Sequence, residues 1–340
     1  MTPWPEAPSG TRWLLRLPNW VGDAVMVLPA LRALLGPGQT FLGVAHPRSL
    51  PLYEATGWFE RVLPAHGARA PLELAEAVRS WRADRAVSFT RPVSGAMLLL
   101  LSRAALRLGR GAALRRSLLT DRLPPEDRGI PLHQSQLALA AAAGGNTTAA
   151  LDFTLEPGAE SRETASRLLA ASGAATDAPR VALAPGAAYG PAKRWPVERY
   201  RELAARLQAR GCVVLGVGGP GDRELTRGLG ADVDLAGRTT LPEMIAVLAG
   251  CRAVVSNDSG AMHLARAAGT PVVAVFGSSS PDWTAPTTGE GEVIRRTLSC
   301  SPCFQRECPL EGGEHLRCLR EITVDEVECA VVGRMSGGEA

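Results

Sequence analysis

Lysine is almost missing from this chain: Lys193 stands alone among 37 Lys and Arg side chains in 340 residues. Where arginine is the default cation, one retained ammonium marks a place that wants a compact point charge on a slim stem rather than a planar fork. Chance survival in an arginine-rich composition is the competing explanation. Aromatic residues are scarce at 5%. Few of them interleave with the basic stretches, which argues against a nucleic-acid partner. No run approaches the ~18 apolar residues of a membrane span; the longest candidate is Met97–Leu101. The start, Met1-Thr-Pro-Trp-Pro, lacks a charged segment followed by an apolar one, so it does not read as a secretory leader. The expectation is a cytoplasmic protein.

What is present is apolar bulk and an uneven charge. The 46% hydrophobic content is ample for more than one core, and the length suggests about two domains. Residues 1–172 hold nineteen arginines against fourteen acids, and 173–340 hold eighteen Lys and Arg against twenty acids. Nine arginines and three acids fall within 85–128. That stretch reads either as solvated helix faces or as a surface for an acidic partner, such as a phosphorylated glycolipid or an anionic membrane face.

Short apolar runs alternate with helical patterns. Strands are predicted at Arg12–Leu17, Phe41–Ala45 and Ala86–Phe89, with helices over 21–35 (Pro29 near the middle), 72–82, 95–107 and 132–143. After a small, polar break at 171–179 the alternation restarts. Strands are predicted at Val181–Ala184, Val213–Gly216, Ala253–Ser256 and Val272–Phe276, with helices over 197–209, 222–229, 241–249 and 259–268. This βα rhythm implies mainly parallel sheets covered by helices. Two Rossmann-like domains are expected, 1–172 and 173–322, with a helix in 323–340 packing back on the first. Their strand C-termini would flank a ligand cleft.

Four segments carry chemistry. In Leu17-Pro-Asn-Trp-Val-Gly-Asp23, a carboxylate opens a helix just after the first strand. It reads as a helix-start acid or as a general base facing a ligand. Val181 to Pro196 reads as strand, small-residue loop, cation and helix start, which suits an anionic group, phosphate first. In Ser256-Asn-Asp258-Ser259-Gly260-Ala-Met-His263, a helix N-terminus offers free backbone N–H groups for a diphosphate. Asp258 would orient the loop or accept from a sugar hydroxyl, and His263 is a ligand contact or a structural histidine. Gly216-Val-Gly218-Gly-Pro-Gly221 matches a dinucleotide fingerprint only formally, because Pro220 interrupts it and the acidic partner is misplaced. It reads as a strand-to-helix turn near a nucleotide, with Asp222 or Glu224 reaching ribose. Asp232-Val-Asp234 reads as the start of a short strand rather than a metal site.

Seven cysteines in such a chain do not suggest disulfides. Cys212 and Cys251 read as core thiols. Cys300, Cys303, Cys308 and Cys318, with His315 nearby, read either as a tetrahedral zinc set or as a metal-free thiol loop.

Taken together and in order, Asn19 to Asp23, Gly186 to Pro196, Ser256 to His263, Gly277 to Trp283 and Cys300 to Pro309 resemble the ADP-heptose:lipopolysaccharide heptosyltransferases of glycosyltransferase family 9. The cysteine stretch is typical of the type II enzymes. The resemblance implies a GT-B fold, an N-terminal acceptor domain, a C-terminal ADP-sugar domain, and inversion with no cofactor and no essential metal. It implies Asp23 as general base and Lys193 on the diphosphate. Ala188, Tyr189, Asp222, Thr239, Asp258, Ser259, Gly260 and His263 complete the implied donor set. The implied partners are ADP-heptose and the lipopolysaccharide inner core, met by a monomer peripheral to the inner membrane. An NAD-dependent oxidoreductase and a non-catalytic nucleotide-sugar-binding protein are the rival readings.

Overall fold

Among the described residues, twelve strands, all paired in parallel, form two six-stranded sheets. The computed structural model that shows them describes residues 1–336 apart from 68, 112, 150, 175, 176 and 288. In the first unit, Met1–Phe153, the strands are β1 (Arg12–Arg16), β2 (Thr40–Ala45), β3 (Arg61–Pro64), β4 (Arg85–Ser88), β5 (Leu106–Arg110) and β6 (Asp121–Leu123), in the order β3-β2-β1-β4-β5-β6. The second unit begins at Thr154. It carries β7 (Arg180–Ala184), β8 (Val213–Gly216), β9 (Val233–Asp234), β10 (Ala253–Asn257), β11 (Val272–Phe276) and β12 (Gly291–Arg295), in the order β12-β11-β10-β7-β8-β9. Each sheet has the doubly wound order in which the chain reverses direction across one central pair. Ligands bind such sheets beyond the strand C-termini at that reversal. The reversal falls between β1 and β4 in one unit and between β7 and β10 in the other.

The central strands are near-continuous apolar runs because helices cover both of their faces. Val181–Leu183, Val254–Val255 and Val272–Val275 are fully buried. The predicted strands all form. The sequence reading missed β3, β5, β6 and β12, which are edge or near-edge strands with fewer apolar residues. The predicted helix over 21–35 divides at Val27 into Val21–Met26 and Leu28–Leu34. Pro29 lies in the first turn of the second helix, where its missing N–H costs nothing. The predicted helix over 95–107 stops at Leu101. Arg103 then takes a left-handed conformation (φ 60°) and the chain enters β5.

Two expected boundaries move. The 171–179 break is not the divide between units, because the preceding helix Ala159–Ala171 packs on the helix Leu241–Ala249 of the second unit. The last helix, Val324–Ser336, expected on the first domain, belongs to the second unit. It covers β10, β11 and β12 beside the helix Val197–Ala209. There Val327 and Val331 are fully buried among Leu203, Leu207 and Val255. Arg206, ion-paired with Asp325 and Glu328, ties the two helices together on the outside.

Of the nine arginines in 85–128, four are taken up by loop backbone, while Arg91, Arg103, Arg116, Arg122 and Arg128 are exposed. Arg85 donates to the carbonyls of Pro5 and Ala143, Arg107 to Ala104 and Leu118, Arg110 to Pro124 and Ser135, and Arg115 to Thr90 and Arg91. These side chains serve as internal staples for loop backbone. Among the described residues no helix is long and apolar enough to cross a membrane.

Candidate active site

The second unit's reversal point is built around Asn257, the last residue of β10. Its side chain is fully buried, so every polar atom needs a partner. Nδ2 donates to the carbonyls of Pro185 (2.8 Å) and Gly186 (3.3 Å). Oδ1 accepts from the Trp195 N–H (2.9 Å) and the Tyr200 hydroxyl (3.2 Å). One amide thus pins both ends of the loop that leaves β7. Within that loop a single helical turn, Pro191–Lys193, aims the lysine at Asp258.

Lys193 Nζ forms an ion pair with Asp258 Oδ2; the two side chains are 16% and 4% exposed. Asp258 also accepts from the Ser279 hydroxyl and from Thr284 Oγ1 (2.9 Å). Burial alone would push its carboxyl up. The Lys193 charge, together with hydrogen bonds from Lys193 and Ser279, brings it below the usual carboxylate range instead. Asp258 is therefore an anion that holds the ammonium in place. Ser259, extended at φ −147°, is the N-cap of the helix Gly260–Ala267, whose first N–H groups have no intrahelical acceptor. His263 lies in that helix at 3% exposure. Burial first, then Arg266 and Lys193, outweigh Asp258 and push its imidazole down to about 4. It is therefore neutral near pH 7.

The glycine turn after β8 closes on itself. Asp222 Oδ2 accepts from the Gly219 N–H (2.9 Å). The same carboxylate abuts Gly186 so closely that a Cβ there would lie 2.2 Å from Asp222 Oδ1. Asp222 therefore braces the lysine loop, and Glu224 is exposed on the following helix. Asp232 accepts from the Val214 N–H and Asp234 from the Ala236 N–H, both structural roles. Thr239 Oγ1 is buried without a hydrogen-bond partner, just before the Thr240–Glu243 capping box. Ala188 and Tyr189 sit exposed at the tip of the loop.

The sequence reading did not anticipate Arg306. Lys193 Nζ and the Arg306 guanidinium lie 5.2 and 5.7 Å from the centre of the same Tyr189 ring. Arg306 Nε donates to the Tyr189 carbonyl (2.9 Å), its own carbonyl accepts from the Ala192 N–H (3.0 Å), and Tyr189 Oη donates to Phe304 O (2.7 Å). A Cβ at Gly190 would come within 2.3 Å of the Arg306 carbonyl oxygen, so only glycine allows this approach. The sole sequence signal was proximity to the cysteines.

Those cysteines are neighbours. Burial, then Cys300, Cys303 and Cys308, push the Cys318 thiol up to about 11. Cys308 Sγ accepts from the Leu316 N–H at 3.3 Å. Cys300 is exposed, and among the described residues no three His, Cys, Asp or Glu side chains are arranged to hold a metal ion. The loop these cysteines stiffen is the one that carries Arg306.

In the first unit, Arg16 donates to Val44 O (3.1 Å) and Asn19 Oδ1 (2.7 Å), while Ser49 Oγ (3.0 Å) and Tyr53 Oη (3.2 Å) donate to Pro18 O. The turn after β1 is thereby fixed. Asp23 follows in the first turn of Val21–Met26, whose N-cap, Trp20, supplies no capping side chain. Burial first, then the Asp23 charge, raise the Tyr53 hydroxyl well above its ordinary value. Asp23 is half-buried, on the strand C-terminal side of its sheet.

A family model, Glycosyltransferase family 9 (heptosyltransferase), matches residues 72–313. Lipopolysaccharide heptosyltransferase 2 of Salmonella typhimurium is 31% identical over 299 residues, 82% of this chain and 86% of the relative. Its namesake from Escherichia coli is 30% identical over the same shares. Among solved structures, E. coli ADP-heptose lps heptosyltransferase II superposes with a TM-score of 0.81 at 27% identity, covering 97% of this chain and 100% of that one. A family 9 transferase from Veillonella parvula shares the fold with a TM-score of 0.84 at 20% identity. The two doubly wound sheets are those of the GT-B class.

Proposed function

Because this chain belongs to glycosyltransferase family 9, the heptosyltransferases, we propose that it moves a heptose from ADP-heptose to the inner core of lipopolysaccharide, adding the second heptose to the first with inversion. The observation that carries the donor half is the Lys193–Asp258 pair beside the free N–H groups of Gly260–Ala267.

Asp23 takes the proton from the acceptor hydroxyl as that oxygen bonds to the anomeric carbon. The bond from that carbon to the diphosphate oxygen breaks on the opposite face, and its electron pair leaves with ADP. Negative charge grows on the departing diphosphate, where Lys193 and the helix N–H groups meet it. Preorganised charge of this kind lowers a barrier because nothing must reorient as the bond breaks. Asp258 keeps the ammonium in position before the donor arrives. Neutral His263 supplies a hydrogen bond without adding charge. No cofactor enters this scheme. The proposed acceptor is a lipid, which would place the reaction at the inner membrane face; a peripheral monomer is part of the proposal.

The test is mass spectrometry of truncated lipopolysaccharide cores incubated with ADP-heptose and the protein. The expected product is the core ending in one heptose, extended by one more. Extension of a heptose-free core alone would move the activity to the first transfer, and no extension of any core would remove it.

A further inference from the structure

The C-terminal end of the first sheet carries a polar group that the transfer scheme does not use. His46 follows β2 and His66 follows β3, and these strands pair with Ala45 beside Pro64. His66 Nδ1 lies 3.0 Å from His46 Nε2, with the rings edge to face at 5.0 Å. The Arg48 N–H donates to His46 Nδ1 at 3.1 Å. That bond sets the direction of the whole chain: a neutral His46 carries its proton on Nε2 and gives it to His66 Nδ1. His66 Nε2–H, on an exposed side chain, is left as the terminal donor.

The surroundings are cationic. Arg16 is 8% exposed, and its guanidinium donates to Leu17 O, Val44 O and Asn19 Oδ1, all neutral acceptors. It lines a shallow depression with Ala65, Gly67 and Ser94. The exposed Arg48 stacks 4.7 Å over Trp20, itself 46% exposed and the N-cap of the Asp23 helix. Asp23 is the only acid between Arg12 and Tyr53. Burial first, then Arg48, His66 and Arg16, push the His46 imidazole below its ordinary value. Positive groups gathered around an exposed N–H donor suit an incoming anion.

We propose that His66, His46 and Arg48, backed by Arg16, form a subsite for an oxyanion, carboxylate or phosphate, carried by the acceptor. The assignment to the acceptor rests on Asp23 as the base. A base must touch the hydroxyl it deprotonates, and Arg48 covers the residue that caps its helix.

Two measurements test this, one of them independent of transfer. The chain has five histidines, so imidazole 15N resonances are few enough to assign. Inorganic phosphate and acetate are titrated separately into the full-length protein. Saturable shifts of His46 and His66, weakened about tenfold or more by Arg48→Gln, are expected. A response to phosphate alone assigns a phosphate-bearing acceptor, and one to acetate a carboxylate-bearing acceptor. In kinetics, His66→Gln and Arg48→Gln raise the acceptor KM about tenfold or more and leave the donor KM unchanged. A merely structural role would move both constants and the Tm. Silence of both imidazoles toward both anions overturns the subsite. Anion binding with an unchanged acceptor KM overturns its assignment to the acceptor. If the protein transfers no sugar at all, the titration still reads the subsite, so the two ideas fail separately.

Discussion

Lys193 and Asp258 come from loops 65 residues apart and meet as an ion pair at the reversal point of the second sheet. Among the described residues few ion pairs are so enclosed, and an enclosed pair is not kept for stability alone, since desolvating both charges offsets most of their attraction. Its use is to hold a charge ready. Lys193→Ala is expected to lower kcat by about 10²-fold, the scale of removing one preorganised charge contact, and to weaken ADP binding. Lys193→Arg is expected to stay impaired, because a planar fork does not fit where a point charge meets one carboxylate oxygen. Steady-state kinetics and calorimetry on both variants check this. An Arg variant of full activity would return the lone lysine to chance.

Acid should loosen the second unit through His263. Its imidazole is lowered to about 4 in the folded chain and stands near 6.5 when unfolded. Between those values the unfolded state binds more protons, so stability rises with pH and is lost as pH falls from about 6.5 toward 4. The loss amounts to roughly 3 kcal/mol for a shift of this size. Asp258 adds to it lower down. Its carboxyl is depressed, so its contribution is present above the unfolded value and vanishes as pH falls through the folded one. Thermal melts from pH 7 to 4 should show a steep fall for the natural chain and a shallower one for His263→Gln. Parallel curves would assign the pH dependence to other groups.

The cysteine-bearing loop should matter to the donor through Arg306. Arg306→Ala removes a cation and the bond to the Tyr189 carbonyl while leaving the buried core untouched. The donor KM should rise about tenfold with little change in Tm. Gly190→Ala meets the Arg306 carbonyl, a backbone atom, at 2.3 Å. It should therefore cost donor affinity and, like other overpacking changes, about 1–3 kcal/mol of stability. Donor titrations and melts of the two variants separate lost contact from forced displacement.

Much of the candidate site in the second unit was legible because its parts follow apolar runs. A buried strand, small residues, a cation and a helix start read directly off Val181 to Pro196. The same holds for the strand and helix start around Asn257 to Gly260. Roles set by distant partners were not legible. The bracing of Gly186 and Gly219 by the Asp222 carboxylate is one such role. Arg306 and Tyr189 are 117 residues apart, and no local pattern links them. The role of Arg85 was hidden because its acceptors, the carbonyls of Pro5 and Ala143, lie far off in sequence. The short strand β6 carries too few apolar residues for any periodicity to register. The last helix was misplaced because its buried face, Val327 and Val331, would suit any sheet.

The division of labour between Asp23 and Lys193 is tested most directly by one comparison on Asp23→Ala: the rate of heptose transfer set against ADP affinity, measured on the same preparation. Transfer is expected to fall by about 10²–10⁴-fold, the usual contribution of a general base, while ADP binds as tightly as before. A parallel loss of rate and affinity would contradict the account and make Asp23 a structural residue.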